Sequence, residues 1–284
     1  MDEVSITSNR FRGRVVSRDG TEIAYEGQGG GPPLVLVSGA LGTAAAERPL
    51  AALLARRFSV VTYDRRGRGG SGDNGAGGHG GSGGHGGSGG HGGRAGAYTA
   101  VEREIEDLAA VLAEVGPGAA LHGLGTGGAL ALSAVAVGMP SGPVSVFEPP
   151  FCAAAAERLA GAVALASLGR RDAAVALLLA ESSLPAVAWP GLVGLAPTLA
   201  YDLAVLGDGT VPERLFAGVH ARVLVIDGGS SPAGTRRAAR TLTAALPRAR
   251  HRTLTGQTHE VAPHVLAPVL ADFHSEAREP VGLL

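Results

Sequence analysis

Four short runs of almost wholly apolar residues constrain this chain more than anything else in it. They are Leu34–Val37 (LVLV), Phe58–Tyr63 (FSVVTY), Val144–Phe147 (VSVF) and Val223–Ile226 (VLVI). A strand with one wet face alternates apolar and polar residues; these runs do not, so each is expected to be a strand buried on both faces. Thr21–Tyr25, Ala119–His122 and His251–Leu254 read as further strands. Helical segments lie between them: Ala44–Arg56, Thr126–Val137, Pro232–Leu246 and Val265–Phe273. Another helix is expected to open on a capping box, Thr99 with Glu102, followed by Val101, Ile105, Leu108 and Leu112 at helical spacing. Short apolar strands alternating with helices predict an α/β protein with a doubly wound, mostly parallel sheet covered on both faces.

Two segments break the alternation. Cys152 to about Phe216 is Ala- and Leu-rich, helical in character, and interrupted by Pro185, Pro190 and Pro197. It is expected to form a helical cap over the carboxyl edge of the sheet, where open α/β sheets place their ligands. The other is a Gly-rich insertion at about 69–97, whose core reads GGHGGSGGHGGSGGHGG. Glycine has no side chain to bury and the most backbone freedom to lose, so a mobile loop is expected. The predicted organisation is thus residues 1–150 as the first part of an α/β core, 151–216 as cap, and 217–284 as the rest of the core.

Composition narrows the function. The chain has 284 residues, 45% hydrophobic and 17% charged, enough for a sizeable core. Its formal net charge is −1, its basic residues are all arginine, and no nucleic-acid partner is expected. The single cysteine, Cys152, excludes an internal disulfide framework and a cysteine-built zinc site. No long apolar run or secretory signal is visible, so a cytoplasmic protein with no membrane partner is expected. His79, His85 and His91 recur every six residues in the Gly-rich insertion. Ordering such a loop costs ~1–2 kcal/mol per residue, and no carboxylate or cysteine joins the set. No metal site and no cofactor are expected.

Four local motifs give the chain a resemblance to the α/β-hydrolase family over nearly its whole length. Val35–Gly39 (VLVSG) resembles the family's oxyanion strand and turn, and Asp64–Ser71 (DRRGRGGS) its D-x-R-G-x-G-x-S turn. Gly123–Gly127 (GLGTG) falls where the family writes G-x-S-x-G, and Gly256–His259 (GQTH) where it places a catalytic histidine. The resemblance implies a base at His259 and oxyanion donors at the backbone N–H groups of Ala40 and Thr126. It implies a turn of mostly structural purpose around Asp64 and Arg66. For the carboxylate behind His259 two candidates stand open, Glu148 and Asp227, because the best-aligned position after the Val223–Ile226 strand is Ser231.

The departure from the pattern is at its centre. Gly125 stands at the nucleophile position and has no hydroxyl, so no acyl-enzyme can form there. Thr126 is a poor substitute, because its side chain is expected to point away from the site. General acid–base work needs a placed histidine and no serine. The reading that follows is a non-hydrolytic acid–base enzyme (cyclase, dehydratase, lyase or isomerase) acting through His259 on a small hydrophobic molecule. The alternatives are an ester or acyl hydrolase by a serine-independent route and a catalytically inactive ligand-binding protein. The apolar cap residues Leu177, Leu178, Leu179, Val187, Trp189, Leu192 and Leu195 suit a hydrophobic ligand.

Overall fold

The computed structural model describes residues 10–74, 95–180, 182 and 190–276. An eight-stranded sheet runs through it in the order β1-β2-β4-β3-β5-β6-β7-β8. The strands are β1 (Arg10–Val16), β2 (Glu22–Gln28), β3 (Pro33–Val37), β4 (Ser59–Tyr63), β5 (Ala120–Leu124), β6 (Val144–Phe147), β7 (Val223–Gly228) and β8 (Ala249–Leu254). Pairing is antiparallel from β1 to β2 and from β2 to β4, and parallel from β4 through β8. The four apolar runs sit in the interior strands, whose residues are almost all buried, as strands covered on both faces must be.

The helices are α1 (Ala44–Leu54), α2 (Ala95–Val115), α3 (Thr126–Ala136), α4 (Ala153–Ser167), α5 (Arg171–Leu178), α6 (Pro190–Val193), α7 (Leu199–Leu206), α8 (Glu213–Phe216), α9 (Ala233–Ala245) and α10 (Pro263–Glu276). Two apolar clusters lie against the sheet. One contains Val35, Leu121, Leu130, Val146 and Leu199, the other Leu36, Leu54, Ile226, Leu266 and Leu270. Helix α3 is buried almost throughout, which its run of Gly, Ala and Leu allows.

Several expectations need correction. Strand β1 was not anticipated: RFRGRVV alternates Arg with other residues and is mostly exposed, because it is an edge strand held by a hairpin. The other edge, β8, is also exposed and carries Arg250 and Arg252, charges that discourage pairing with another sheet. Helix α2 begins at Ala95, so Thr99 lies inside it and not at the N-cap position. The block after β6 is helical, running from the 15-residue α4 through the shorter α5 to α8, and α7 packs against α2 and α3 beside the core. Leu178, Leu179, Leu192 and Leu195 pack partly buried against the first apolar cluster, which is where much of their hydrophobicity goes. Val187, Trp189, His79, His85, His91 and most of the Gly-rich insertion lie outside the described residues. No helix among the described residues is long and apolar enough to cross a membrane.

Candidate active site

Parallel pairing brings the carboxyl ends of β3, β5, β6, β7 and β8 to one edge. Val37 is level with Gly123, Leu124 with Phe147, and Gly228 with Leu254. Gly39 and Ala40, Gly125, Glu148 and His259 all follow those ends.

The turn between β5 and α3 is crowded for a reason that can be read atom by atom. A Cβ at Gly123 would lie 2.4 Å from the Cα of Gly128, and one at Gly127 2.2 Å from the carbonyl oxygen of Val37. Only glycine fits either position. Gly125 is different: its φ of 54° is left-handed, but a Cβ there would meet no backbone, only His259, at 3.4 Å from Cε1 and 3.6 Å from Nε2. A side chain at residue 125 would therefore project straight at the imidazole. The amide of Gly125 is held by the carbonyl of Phe147 at 2.9 Å, which fixes the turn to β6.

His259 is half exposed, with 54% of its side chain accessible, while the Glu148 side chain is at 1%. Its Nδ1 lies 3.1 Å from Glu148 Oε2. A neutral imidazole that donates from Nδ1 keeps its lone pair on Nε2, the nitrogen facing Gly125. The other carboxylate oxygen of Glu148 accepts from the Gly228 amide at 2.8 Å and the Ser231 hydroxyl at 2.5 Å. Burial pushes the Glu148 carboxyl up, but hydrogen bonds from His259, Ser231 and Gly228 outweigh it and hold it below its ordinary value. Glu148 also has a left-handed φ of 47°. Its amide donates to the carbonyl of Ile226 at 2.9 Å, so β7 helps hold the unfavourable conformation. Ser231, too polar-neutral to be the acid, supports the acid instead.

Asp227 does not join this pair. It is fully buried, and its Oδ2 lies 3.2 Å from Nε2 of His251, within ion-pair range though without hydrogen-bond alignment. Of the two carboxylates left open by the sequence, Glu148 is the one that meets His259. Thr126 points away from His259: its hydroxyl donates to Asp202 Oδ1 at 2.6 Å.

The oxyanion candidates lie beside the same turn. A Cβ at Gly39 would stand 3.8 Å from the Cα of Gly125, so the loop after β3 abuts it. The neighbouring turn bonds, Gly42 N–H to Gly39 C=O and Gly128 N–H to Gly125 C=O, use neither the Ala40 nor the Thr126 amide. Leu41, next to Ala40, is with Glu148 one of the two non-glycine residues of left-handed φ among the described residues. Both stand at this edge, and strained backbone concentrates at working sites.

The DRRGRGGS turn carries more than expected. Asp64 caps the start of α1 through the Ala44 amide at 2.7 Å and holds the Gly70 amide at 2.8 Å, a structural task. Arg66 is likewise structural, paired with Asp107 and Asp19. Arg65 and Arg68 reach under the β3 loop and meet Asp202, a buried residue of α7. Nothing in the local sequence around Asp202 (TLAYDLAVL) marks it, beyond an acid in an otherwise apolar helix. Among the described residues no cluster of His, Cys, Asp and Glu could hold a metal ion. A cleft of about 560 Å³ lies elsewhere, between the β1–β2 hairpin and the start of α1. Arg12, Tyr25, Arg48 and Asp64 line it, and neither Gly125 nor His259 does.

Residues 34–273 match the model of the alpha/beta hydrolase family. An alpha/beta hydrolase from Sphaerobacter thermophilus is similar in structure, with a TM-score of 0.74 and 41% identity over 92% of this chain and 99% of that one. An esterase from Rhodococcus sp. ECU1013 has a TM-score of 0.69 at 20% identity, over 94% of this chain and 99% of its own. The 2-hydroxy-6-oxo-6-phenylhexa-2,4-dienoate hydrolase from Rhodococcus sp. strain RHA1 has a TM-score of 0.70 at 18% identity, over 95% and 100%. At those identities the last two likenesses are of fold alone. No curated protein matches the chain. The family model covers most of the chain, and the fold is that of its neighbours: this chain belongs to the alpha/beta hydrolase family.

Proposed function

We propose that the protein is an acid–base enzyme on the hydrolase scaffold, with His259 as the proton-transferring group, Glu148 behind it, and the nucleophile position left empty at Gly125. The carrying observation is the direction of the missing side chain. A Cβ at Gly125 would stand 3.6 Å from His259 Nε2, so that space is open to a reacting group of a substrate. His259 Nε2 takes a proton from a C–H or O–H placed there and returns it to another atom of the same molecule, as cyclisation, dehydration, elimination or isomerisation requires. The Ala40 and Thr126 amides stabilise an enolate or alkoxide that forms on the way. The substrate class is a small hydrophobic molecule.

A second reading is favoured by the structural neighbours, several of which are esterases or hydrolases. In it His259 deprotonates a water that attacks an ester directly, with no acyl-enzyme. One experiment separates the two. Wild type is offered activated short-chain esters and a serine-directed phosphonate, beside His259→Ala. The acid–base reading expects no ester turnover above the variant and no label at residue 125. Ester turnover that falls ~10²–10⁴-fold in His259→Ala, again without label, would replace it with the direct-water reading.

A further inference from the structure

We infer that Asp202 is a positioning residue: a buried carboxylate of α7 that fixes both oxyanion amides through Arg65, Arg68 and Thr126. This rests on the site proposed above and deepens it. Asp202 is inaccessible to solvent and makes three short bonds. Its Oδ1 accepts from Arg65 Nη1 at 2.7 Å and from the Thr126 hydroxyl at 2.6 Å, and its Oδ2 accepts from Arg68 Nη2 at 2.7 Å. One terminal nitrogen of each arginine also reaches the loop after β3. Arg68 Nη1 donates to the carbonyl of Gly39 at 2.7 Å and Arg65 Nη1 to that of Ser38 at 3.2 Å, while Glu104 takes the other edge of Arg65.

The peptide plane turns these bonds into a statement about the site. A trans peptide points its C=O and its N–H in opposite directions. Holding the Gly39 carbonyl with Arg68, and with the Gly42 amide at 3.1 Å, therefore aims the Ala40 N–H the other way. The Gly125 carbonyl is turned into α3, accepting from Gly128 at 3.0 Å and Ala129 at 3.3 Å, so the Thr126 N–H points out of the helix start. The Thr126 hydroxyl bond to Asp202 pins that first residue. One carboxylate thus ties together two amides that come from different strands. Two guanidinium groups and two carboxylates, Asp202 and Glu104, balance in charge, which lets the cluster stay ionised without solvent.

The test has two arms. In the Gly125→Ser protein, Thr126→Val, which removes the hydroxyl at nearly constant volume, is expected to lower kcat on p-nitrophenyl acetate about 10- to 100-fold with little change in KM. Thr126→Ser restores it. In the protein with Gly125 intact, Arg68→Lys is expected to shift the backbone amide resonances of Ala40 and Thr126 in ¹H–¹⁵N spectra, and Thr126→Val that of Ala40, while those of β7 and β8 stay in place. Unmoved amides, or a kcat loss that Thr126→Ser fails to rescue, would overturn the clamp. If Gly125→Ser hydrolyses no ester, the proposed site fails while the amide resonances still decide the clamp.

Discussion

Two polar clusters flank the turn Leu124–Gly125–Thr126, and they are built on opposite terms. On one side, His259 and Glu148 form a single pair whose histidine is half open to solvent. On the other, Arg65, Arg68, Glu104 and Asp202 are closed off, each with at most 2% of its side chain accessible. A group that moves protons must be reached by a substrate; a group that holds a loop gains from being unreachable. Burial strengthens every bond in the closed cluster and makes each charge dependent on its partners. Burial and its neighbour Arg65 push the Arg68 guanidinium down, and for Asp202 burial pushes up while Arg65 and Arg68 outweigh it and hold the carboxyl below its ordinary value. On the proposed reading the open pair moves protons and the closed cluster holds the loop still.

That contrast can be broken by removing one carboxylate. Asp202→Ala leaves the buried Arg68 guanidinium without a carboxylate and Arg65 with Glu104 alone, and is expected to cost ~3–5 kcal/mol of unfolding free energy, read by urea denaturation. His259→Ala removes a partly exposed partner and is expected to cost no more than about 1 kcal/mol. Equal losses would mean that the two clusters are not distinct in kind.

Acid sharpens the comparison from a third place. His122 on β5, Ser145 on β6 and His274 on α10 form a buried chain, with 2.9 Å and 2.8 Å between the ring nitrogens and the hydroxyl. Burial pushes the two histidines down to about 4 and about 3. Both lie below the ~6.5 of an unfolded histidine, so the unfolded chain takes up protons that the folded one refuses. Their contribution is complete above about pH 6.5 and is lost progressively as pH falls towards 3–4. The held-down carboxyl of Glu148 adds its own loss at lower pH, beginning as pH falls through the range of an ordinary glutamate and continuing down to its lower folded value. Stability measured by denaturation should therefore begin to fall near pH 6.5, and His274→Asn should flatten that part of the curve. A flat profile from pH 7 to 5 would contradict the buried neutral pair.

The smallest effect expected is from the Gly-rich insertion. Loop closure costs only ~0.6 kcal/mol for each doubling of length. Removing Gly75–Gly93 should shift the unfolding free energy by about 1 kcal/mol or less and leave both clusters untouched. A truncated protein that no longer folds would refute that.

The sequence made the interior strands and the turn at Gly125 legible because both are matters of local pattern: apolar runs for the one, crowded glycines for the other. His259 and Glu148 were legible through their places after strands. For Glu148 over Asp227 the sequence offered only the rigid EPPF run after β6, since the contact itself depends on which carboxylate the backbone turns towards His259. Strand β1 escaped because an edge hairpin buries too little to leave a pattern. Asp202 escaped for a related reason. Its partners are separated from it by 137 residues at Arg65 and 76 at Thr126, and no local spacing connects them.

The central claim is that a competent site surrounds a vacant nucleophile position, and Gly125→Ser tests it most directly. At a φ of 54° a serine is strained, costing on the order of 1–2 kcal/mol, yet its Cβ meets only the imidazole of His259. If the account is right, the variant folds, hydrolyses activated short-chain esters that wild type leaves alone, and takes a serine-directed phosphonate at residue 125, as peptide mass spectrometry will show. A folded Gly125→Ser protein that neither turns over ester nor takes the label would contradict it.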